Sequence, residues 1–401
     1  MNQKKVIFHI DVNSAFLSWE AVYRLKNSES AVDIREIPSA IGGDIAKRHG
    51  IILAKSIPAK KYGITTGESV IEALKKCPHL YLAPPNHMLY KKYSKAFMDI
   101  LKEYSPDIEK FSVDEAFIDV SGTRRLFGEP IDLAYTIKNR IRDELGFTVN
   151  IGISDVKLLA KMASDFRKPD MVHTLFREEI QQKMWPLPVE DLLYVGKATK
   201  KKLYSMGIRT IGELANTDKD ILIANLKAHG ELIWNFANGI DISLVETTPV
   251  KHKGYGNSTT LSVDVTDEET ARMILLSLSE TVSARLRKDS VRGELVSVNI
   301  KDNSFVNYSH QRILTQATNS TSEIFNISCE LFFDMWDGTP IRLLGVSVGK
   351  LKEKEEAVQI SLFETHNNQK REAADNAIDY IREKYGADSI KRASYIRKSN
   401  T

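Results

Sequence analysis

A chain of 401 residues, 42% hydrophobic and 27% charged, has room for several domains and is too apolar to be intrinsically disordered. No apolar run nears the ~18 residues of a membrane span, and two cysteines, Cys77 and Cys329, exclude a disulfide scaffold and a four-cysteine zinc site; a reducing cytoplasm is the expected compartment. The formal net charge of +3 permits a nucleic-acid partner without pointing to one, since residues 1–79, with 12 basic against 8 acidic side chains, hold more than the whole excess.

Residues 6–10, Val-Ile-Phe-His-Ile, read as a buried strand ending at Asp11, and Asp11 and Asn13 break the run too early for a secretory signal. A helix follows through Phe16, Leu17, Glu20, Ala21 and Leu25. Residues 51–54 form a short apolar run, and 69–76 a short helix stopped by Pro78. Residues 90–104 make a long amphipathic helix with Tyr93, Phe97, Ile100, Leu101 and Tyr104 on one face. Two strand-like segments, 108–113 and 116–120, meet through Asp114-Glu115. Then come a helix over 131–145, a strand over 149–153 and a helix over 158–166 before Pro169, an α+β arrangement.

From about Val189 the pattern changes to short helices with glycine turns, and residues 247–253, carrying Pro249, read as a linker. Residues 254–350 then give strand, helix, strand, strand, helix, strand, the split βαβ order. The tail holds an isolated apolar pentapeptide, Gln359 to Phe363, and a helix over 370–385 closed by Gly386. There is no internal repeat.

Asp11, Asp114 and Glu115 lie at strand ends beside core-type residues, where a carboxylate is costly unless paired or coordinated. Converging carboxylates repel one another, and oxygen-only ligation suits Mg²⁺, which binds through few carboxylates and keeps substrate phosphates. Two such ions about 3.5–4 Å apart would clamp a phosphoryl transfer. The ordinary alternative for each acid is a hydrated turn residue. For Phe16 it is a core aromatic beside Leu17 and Ala21.

The segment from His9 to Glu20, His-Ile-Asp-Val-Asn-Ser-Ala-Phe-Leu-Ser-Trp-Glu, resembles the opening motif of the Y-family (translesion) DNA polymerases. Phe111 to Asp119, Phe-Ser-Val-Asp-Glu-Ala-Phe-Ile-Asp, resembles the second acidic motif of that family. The likeness runs through residues 5–365 in the family's order. It implies a right-hand polymerase, with a palm (1–12 and 80–175), fingers (13–79), a helical thumb with a helix-hairpin-helix (176–243), a linker (244–253), a βαββαβ little finger (254–351) and a tail (352–401). It implies that Asp11, Asp114 and Glu115, with the Val12 carbonyl, ligate two Mg²⁺ ions, with Mn²⁺ able to substitute. Asn13 stands where many relatives carry a second Asp. Together with Ala59-Lys60 and Tyr255 to Ser258, it places the chain nearer the branch of the DNA polymerase V catalytic subunit than that of DNA polymerase IV.

By the same resemblance Phe16 is a steric gate against the ribose 2′-hydroxyl. The stretch from Ala54 to Gly63 corresponds to the fingers motif holding the incoming dNTP. There Ile57 replaces a tyrosine, and Lys60 an arginine, so charge stays while the planar fork is lost. In the segment from Ser154 to Pro169, Leu158, Leu159, Met162 and Phe166 form a stripe and Lys157, Lys161 and Asp165 share another face. Lys168 would reach the triphosphate, or serve as an ordinary helix-end cation.

Tyr194 to Leu203 resembles the helix-hairpin-helix, with Tyr194 where the family has its first glycine. Gly196, Lys197, Lys200 and Lys201 would meet DNA phosphates; a solvated lysine-rich helix is the alternative. Gln359, Leu362 and Phe363 fit a sliding-clamp-binding pentapeptide, or a strand packing on the little finger. The implied protein is a cytoplasmic monomer that copies primer–template DNA with low fidelity. A nucleotide cyclase with a similar palm, and a catalytically silent DNA- and clamp-binding protein, are the alternatives.

Overall fold

The computed structural model describes residues 5–28, 31–44, 50–248, 251–353, 365–386 and 388–392. They fall into two compact units that divide near residue 249.

The first unit is organised round a five-stranded sheet. In spatial order its strands are Ile108–Lys110, Glu115–Asp119, Ile7–Val12, Val149–Ser154 and Val172–Thr174. Every residue of the central strand, Ile7–Val12, is buried, His9 and Asp11 included, because both faces of the sheet are covered. Side chains alternate between the faces. Phe8, Ile10 and Val12 join Phe97, Leu101, Ile137 and Ile141 of helices His87–Lys102 and Pro130–Leu145. Ile7, on the other face, packs with Phe117 and with Ala160 of helix Lys157–Asp165.

That last helix lies so close to the sheet that a side chain at Gly152 would run into the Ala160 carbonyl oxygen. Its apolar stripe, Leu158, Leu159 and Met162, faces a separate core shared with the short helices that follow, among them Lys197–Ser205, Ile211–Asn216 and Ala228–Ala237. A three-stranded sheet, Ile52–Lys55, Ser39–Gly42 and Tyr81–Ala83, carries helices Ile57–Lys61 and Val70–Lys76. The sequence reading finds only the first of these strands, because the other two are three or four residues long and their pattern is too short to register.

The second unit is a four-stranded antiparallel sheet in the order Asn307–Thr318, Val291–Asp302, Ile341–Glu353, Gly254–Val265. Helices Glu268–Lys288 and Thr321–Phe333 fill one core with it. All six expected elements are present in the expected order. Helix Thr365–Tyr385 docks on this unit through buried Arg287, whose guanidinium bonds Asp379 at 2.6 Å and Asp375 at 3.3 Å.

Gly152→Ala should lower the unfolding midpoint, since the added methyl has nowhere to go without parting helix from sheet, a cost of about 1–3 kcal/mol. Denaturant titration beside an exposed-helix control substitution measures it.

Candidate active site

Strand pairing gathers the acids. Asp11 and Glu115 are direct cross-strand partners, and the Val12 N–H donates to the Asp114 carbonyl at 3.0 Å. Cross-strand partners face the same side with Cβ atoms about 5 Å apart, so residues 104 positions distant in sequence become neighbours. The loop delivering Asp114 is held by Ser112. Its hydroxyl accepts from the N–H groups of Asp114 at 3.2 Å and Glu115 at 3.0 Å, and donates to Asp114 Oδ1 at 2.6 Å.

Each carboxylate of the cross-strand pair meets a lysine from the 157–168 region. Lys161 Nζ bonds Glu115 at 2.9 Å, and Lys168 Nζ bonds Asp11 and stands 2.8 Å from Asp165. Burial pushes the Asp11 carboxyl up to about 6, against the opposing pull of Lys168. For Glu115 burial also works upward, but the His9 and Lys161 contacts prevail and hold its carboxyl down at about 2. His9 is fully buried, and burial lowers its pKa. Its Nδ1 lies 2.8 Å from Ser164 Oγ and its Nε2 lies 3.7 Å from Glu115.

Beside the acids opens a cavity of ≈250 Å³ lined by Asp11, Phe16, Lys55, Thr66, Asp114 and Lys168, among others. The chain enters it sharply. Ser14, at φ 47°, turns directly from the strand into helix Ala15–Asn27, which sets Phe16 in the wall. The Phe16 ring stacks on Tyr90 with centroids 4.4 Å apart and planes 8° from parallel. Phe16 is therefore a packed aromatic that also forms part of the cavity wall.

Ile57 and Lys60 sit on helix Ile57–Lys61, exposed, and neither lines this cavity. Lys55, two residues before that helix, does, and its Nζ donates to Thr66 at 3.1 Å. Its pKa is lowered, first by burial and then by the charge on Lys60. The sequence reading passes over Lys55 although it lies within the quoted fingers motif; strand alternation after Ile52 is the signal that would have set it apart.

Tyr194 adopts φ 70°, so the left-handed turn expected of a glycine is made by a tyrosine, whose ring lies against Phe236 at 5.8 Å. Gly196 then caps helix Lys197–Ser205, whose first turn has no side-chain cap. Lys197 and Lys201 are exposed, while Lys200 is engaged by Glu190 at 2.7 Å. Gln359, Leu362 and Phe363 lie outside the described residues.

The impB/mucB/samB family matches residues 10–165, its helix-hairpin-helix motif residues 177–208 and its C-terminal domain residues 252–362. A DNA polymerase IV of Clostridium acetobutylicum is 50% identical over 98% of this chain and 99% of its own length. One from Acetivibrio thermocellus is 41% identical over 98% of each, and DNA polymerase IV 1 of Bacillus subtilis is 34% identical over 100% of this chain and 95% of its own. A solved Y-family DNA polymerase chimera of Dbh and Dpo4 superposes with a TM-score of 0.75 at 20% identity, covering 87% of this chain and 99% of its own. The chain belongs to the impB/mucB/samB family of Y-family DNA polymerases. It is a DNA-directed DNA polymerase of the translesion class, acting on primer–template DNA and dNTPs. These relatives carry the polymerase IV name, whereas the sequence reading leaned toward the polymerase V branch. Among the described residues no helix is long and apolar enough to cross a membrane.

The donor set suits a divalent cation in chemistry: hard oxygens from three acids at one strand end, two of them already needing a cation each. Among the described residues no three His, Cys, Asp or Glu side chains are arranged to hold a metal as they stand, because Asp11 turns to Lys168, Glu115 to Lys161 and Asp114 to Ser112. Lys168 thus competes for Asp11. Lys168→Met should bind Mn²⁺ several-fold more tightly than the parent in the absence of nucleotide, by calorimetric titration; unchanged or weaker binding would refute the competition.

Proposed function

We propose that Asp11, Asp114 and Glu115, with the Val12 carbonyl, hold two Mg²⁺ ions for which Mn²⁺ can substitute, and that the cavity beside them receives the triphosphate of the incoming dNTP. The single observation carrying this is the cross-strand pairing of Asp11 with Glu115 at the edge of a cavity that also contains Phe16, Lys55 and Lys168. The bound cations supply charge neutralisation at the α-phosphate and lower the pKa of the primer 3′-hydroxyl.

The chain's own residues do the positioning. The 3′-oxygen forms a bond to the α-phosphorus as the bond to the pyrophosphate oxygen breaks. Lys168, freed from Asp11, and Lys55 face the charge that develops on the leaving group. Phe16, braced by Tyr90, fills the space beside the sugar where a 2′-hydroxyl would stand. Lys60, exposed on its short helix, is near enough in charge to depress Lys55 and adds to the positive approach. Ile57 beside it offers an apolar surface in place of a hydrogen-bonding group.

In this reading the five-stranded sheet is the palm, the three-stranded sheet and its helices the fingers, the helical stretch to residue 243 the thumb, and residues 254–351 the little finger. The turn at Tyr194 and Gly196 presents backbone N–H groups to a DNA phosphate, with Lys197, Lys201 and Lys200 adding sequence-independent attraction. Gln359, Leu362 and Phe363 plug a pocket on a sliding clamp, and the enzyme works as a monomer of low fidelity in the cytoplasm.

The retained acids favour this over a DNA- and clamp-binding protein without activity, since binding alone needs none of them. A nucleotide cyclase has no use for the lysine-rich hairpin or the second unit. Asp114→Ala should abolish primer extension in Mg²⁺, a loss of at least about 10³-fold, while leaving primer–template affinity near that of the parent. Separately, Phe16→Ala should raise ribonucleotide incorporation relative to deoxynucleotide by more than tenfold, read from single-nucleotide extension gels. Unaltered sugar discrimination would remove Phe16 from the gate role.

A further inference from the structure

A second cavity, of ≈350 Å³, opens between helix His87–Lys102 and strand Ile108–Lys110. Its lining includes Lys91, Lys95, Lys102, Lys110, Ser94 and Val113, and one acid, Asp99. None of the sequence motifs or the mechanism above uses these lysines. Lys91, Lys95 and Lys102 share a helix face through three- and four-residue steps, while Tyr90, Phe97 and Leu101 on the opposite face are in the core.

Charge in the cavity is one-sided. Asp99 is engaged by Lys95 at 2.5 Å and by Lys102 at 2.9 Å, so its negative charge is already matched. Lys91 and Lys110 are exposed and make no ion pair among the described residues. The second observation is Ser94. It is 1% exposed, lines the cavity, and its Oγ has no hydrogen-bond partner among the described residues. A buried hydroxyl without a partner is destabilising, and an acceptor oxygen reaching it would relieve that. Four lysines and an unpartnered hydroxyl lining one cavity suit a phosphate, which lysine binds as a point charge from many directions.

Position indicates which phosphate. Val113 lines this cavity and Asp114 lines the active-site cavity, and consecutive Cα atoms are about 3.8 Å apart. The cavity therefore adjoins Asp114, where the active-site reading puts the 3′ end of the primer. We propose that this cavity holds a backbone phosphate of the primer strand, a few nucleotides behind its growing end. The inference rests on the active-site reading above for where that end lies. It adds a contact that fixes the strand without reading its bases.

The experiment is primer–template binding by the full-length protein, followed by fluorescence anisotropy across a salt series without nucleotide. Lys91→Gln/Lys110→Gln should weaken binding about three- to tenfold near 0.1 M salt and make the plot of log K against log salt shallower by up to about two. Ser94→Ala should give a smaller loss in the same direction. A primer carrying one neutral methylphosphonate, moved stepwise back from the 3′ end, should weaken the parent at one position where the double variant no longer responds. An unchanged salt slope, or identical methylphosphonate profiles in parent and variant, would overturn the proposal. So would inorganic phosphate protecting Lys91 and Lys110 from amine acylation while DNA affinity is unmoved, since the site would then serve a small anion. The binding readout involves no catalysis, so it is separable from the Asp114→Ala result that tests the active site.

Discussion

The structure depends on two carboxylates being placed opposite one another at the end of a fully buried strand. Asp11 and Glu115 are forced together by the antiparallel register of Ile7–Val12 with Glu115–Asp119, and no side-chain rotation can undo a pairing fixed by backbone hydrogen bonds. Burying like charges side by side is costly, so the site needs positive charge. Lys161 and Lys168 supply it in the protein alone. The different pKa directions of the two acids follow: Glu115, gripped by Lys161 and faced by His9, stays ionised to low pH, whereas burial dominates at Asp11.

The helix that carries Lys161 has to serve two cores at once. Leu158, Leu159 and Met162 commit it to the helical core, while Ala160 presses on the sheet at a point where only glycine, Gly152, leaves room. Its remaining face turns Lys157 to Glu109 at 2.6 Å and Lys161 to Glu115. Its N-terminal end is closed from a distance, with the Leu158 N–H donating to Asp241 at 3.1 Å. These contacts fix where the helix sits and so bring Lys161 to Glu115.

Much of this was legible in the sequence, and the limits have physical causes. Long periodic segments announced themselves: the helix over His87–Lys102 and the six elements between residues 254 and 353 follow from patterns many residues long. Strands of three or four residues, Ser39–Gly42 and Tyr81–Ala83, did not, since they exist through neighbours distant in sequence. Tyr194 broke the expected glycine pattern of the hairpin yet takes the left-handed backbone all the same, with its ring packed beside Phe236. Lys55 was hidden among equally basic neighbours, because which lysine faces a cavity is decided by strand direction and not by composition.

By itself the amino-acid sequence determined the family, the order of the elements and the candidate acids, because motif chemistry and hydrophobic period are local properties written into adjacent residues. Only the tertiary structure decided that Asp11 faces Glu115, that Lys161 and Lys168 are their partners, and that Lys55 rather than Lys60 reaches the cavity wall. Those facts depend on register and on the packing of segments tens to more than a hundred residues apart, which no run of neighbouring side chains encodes.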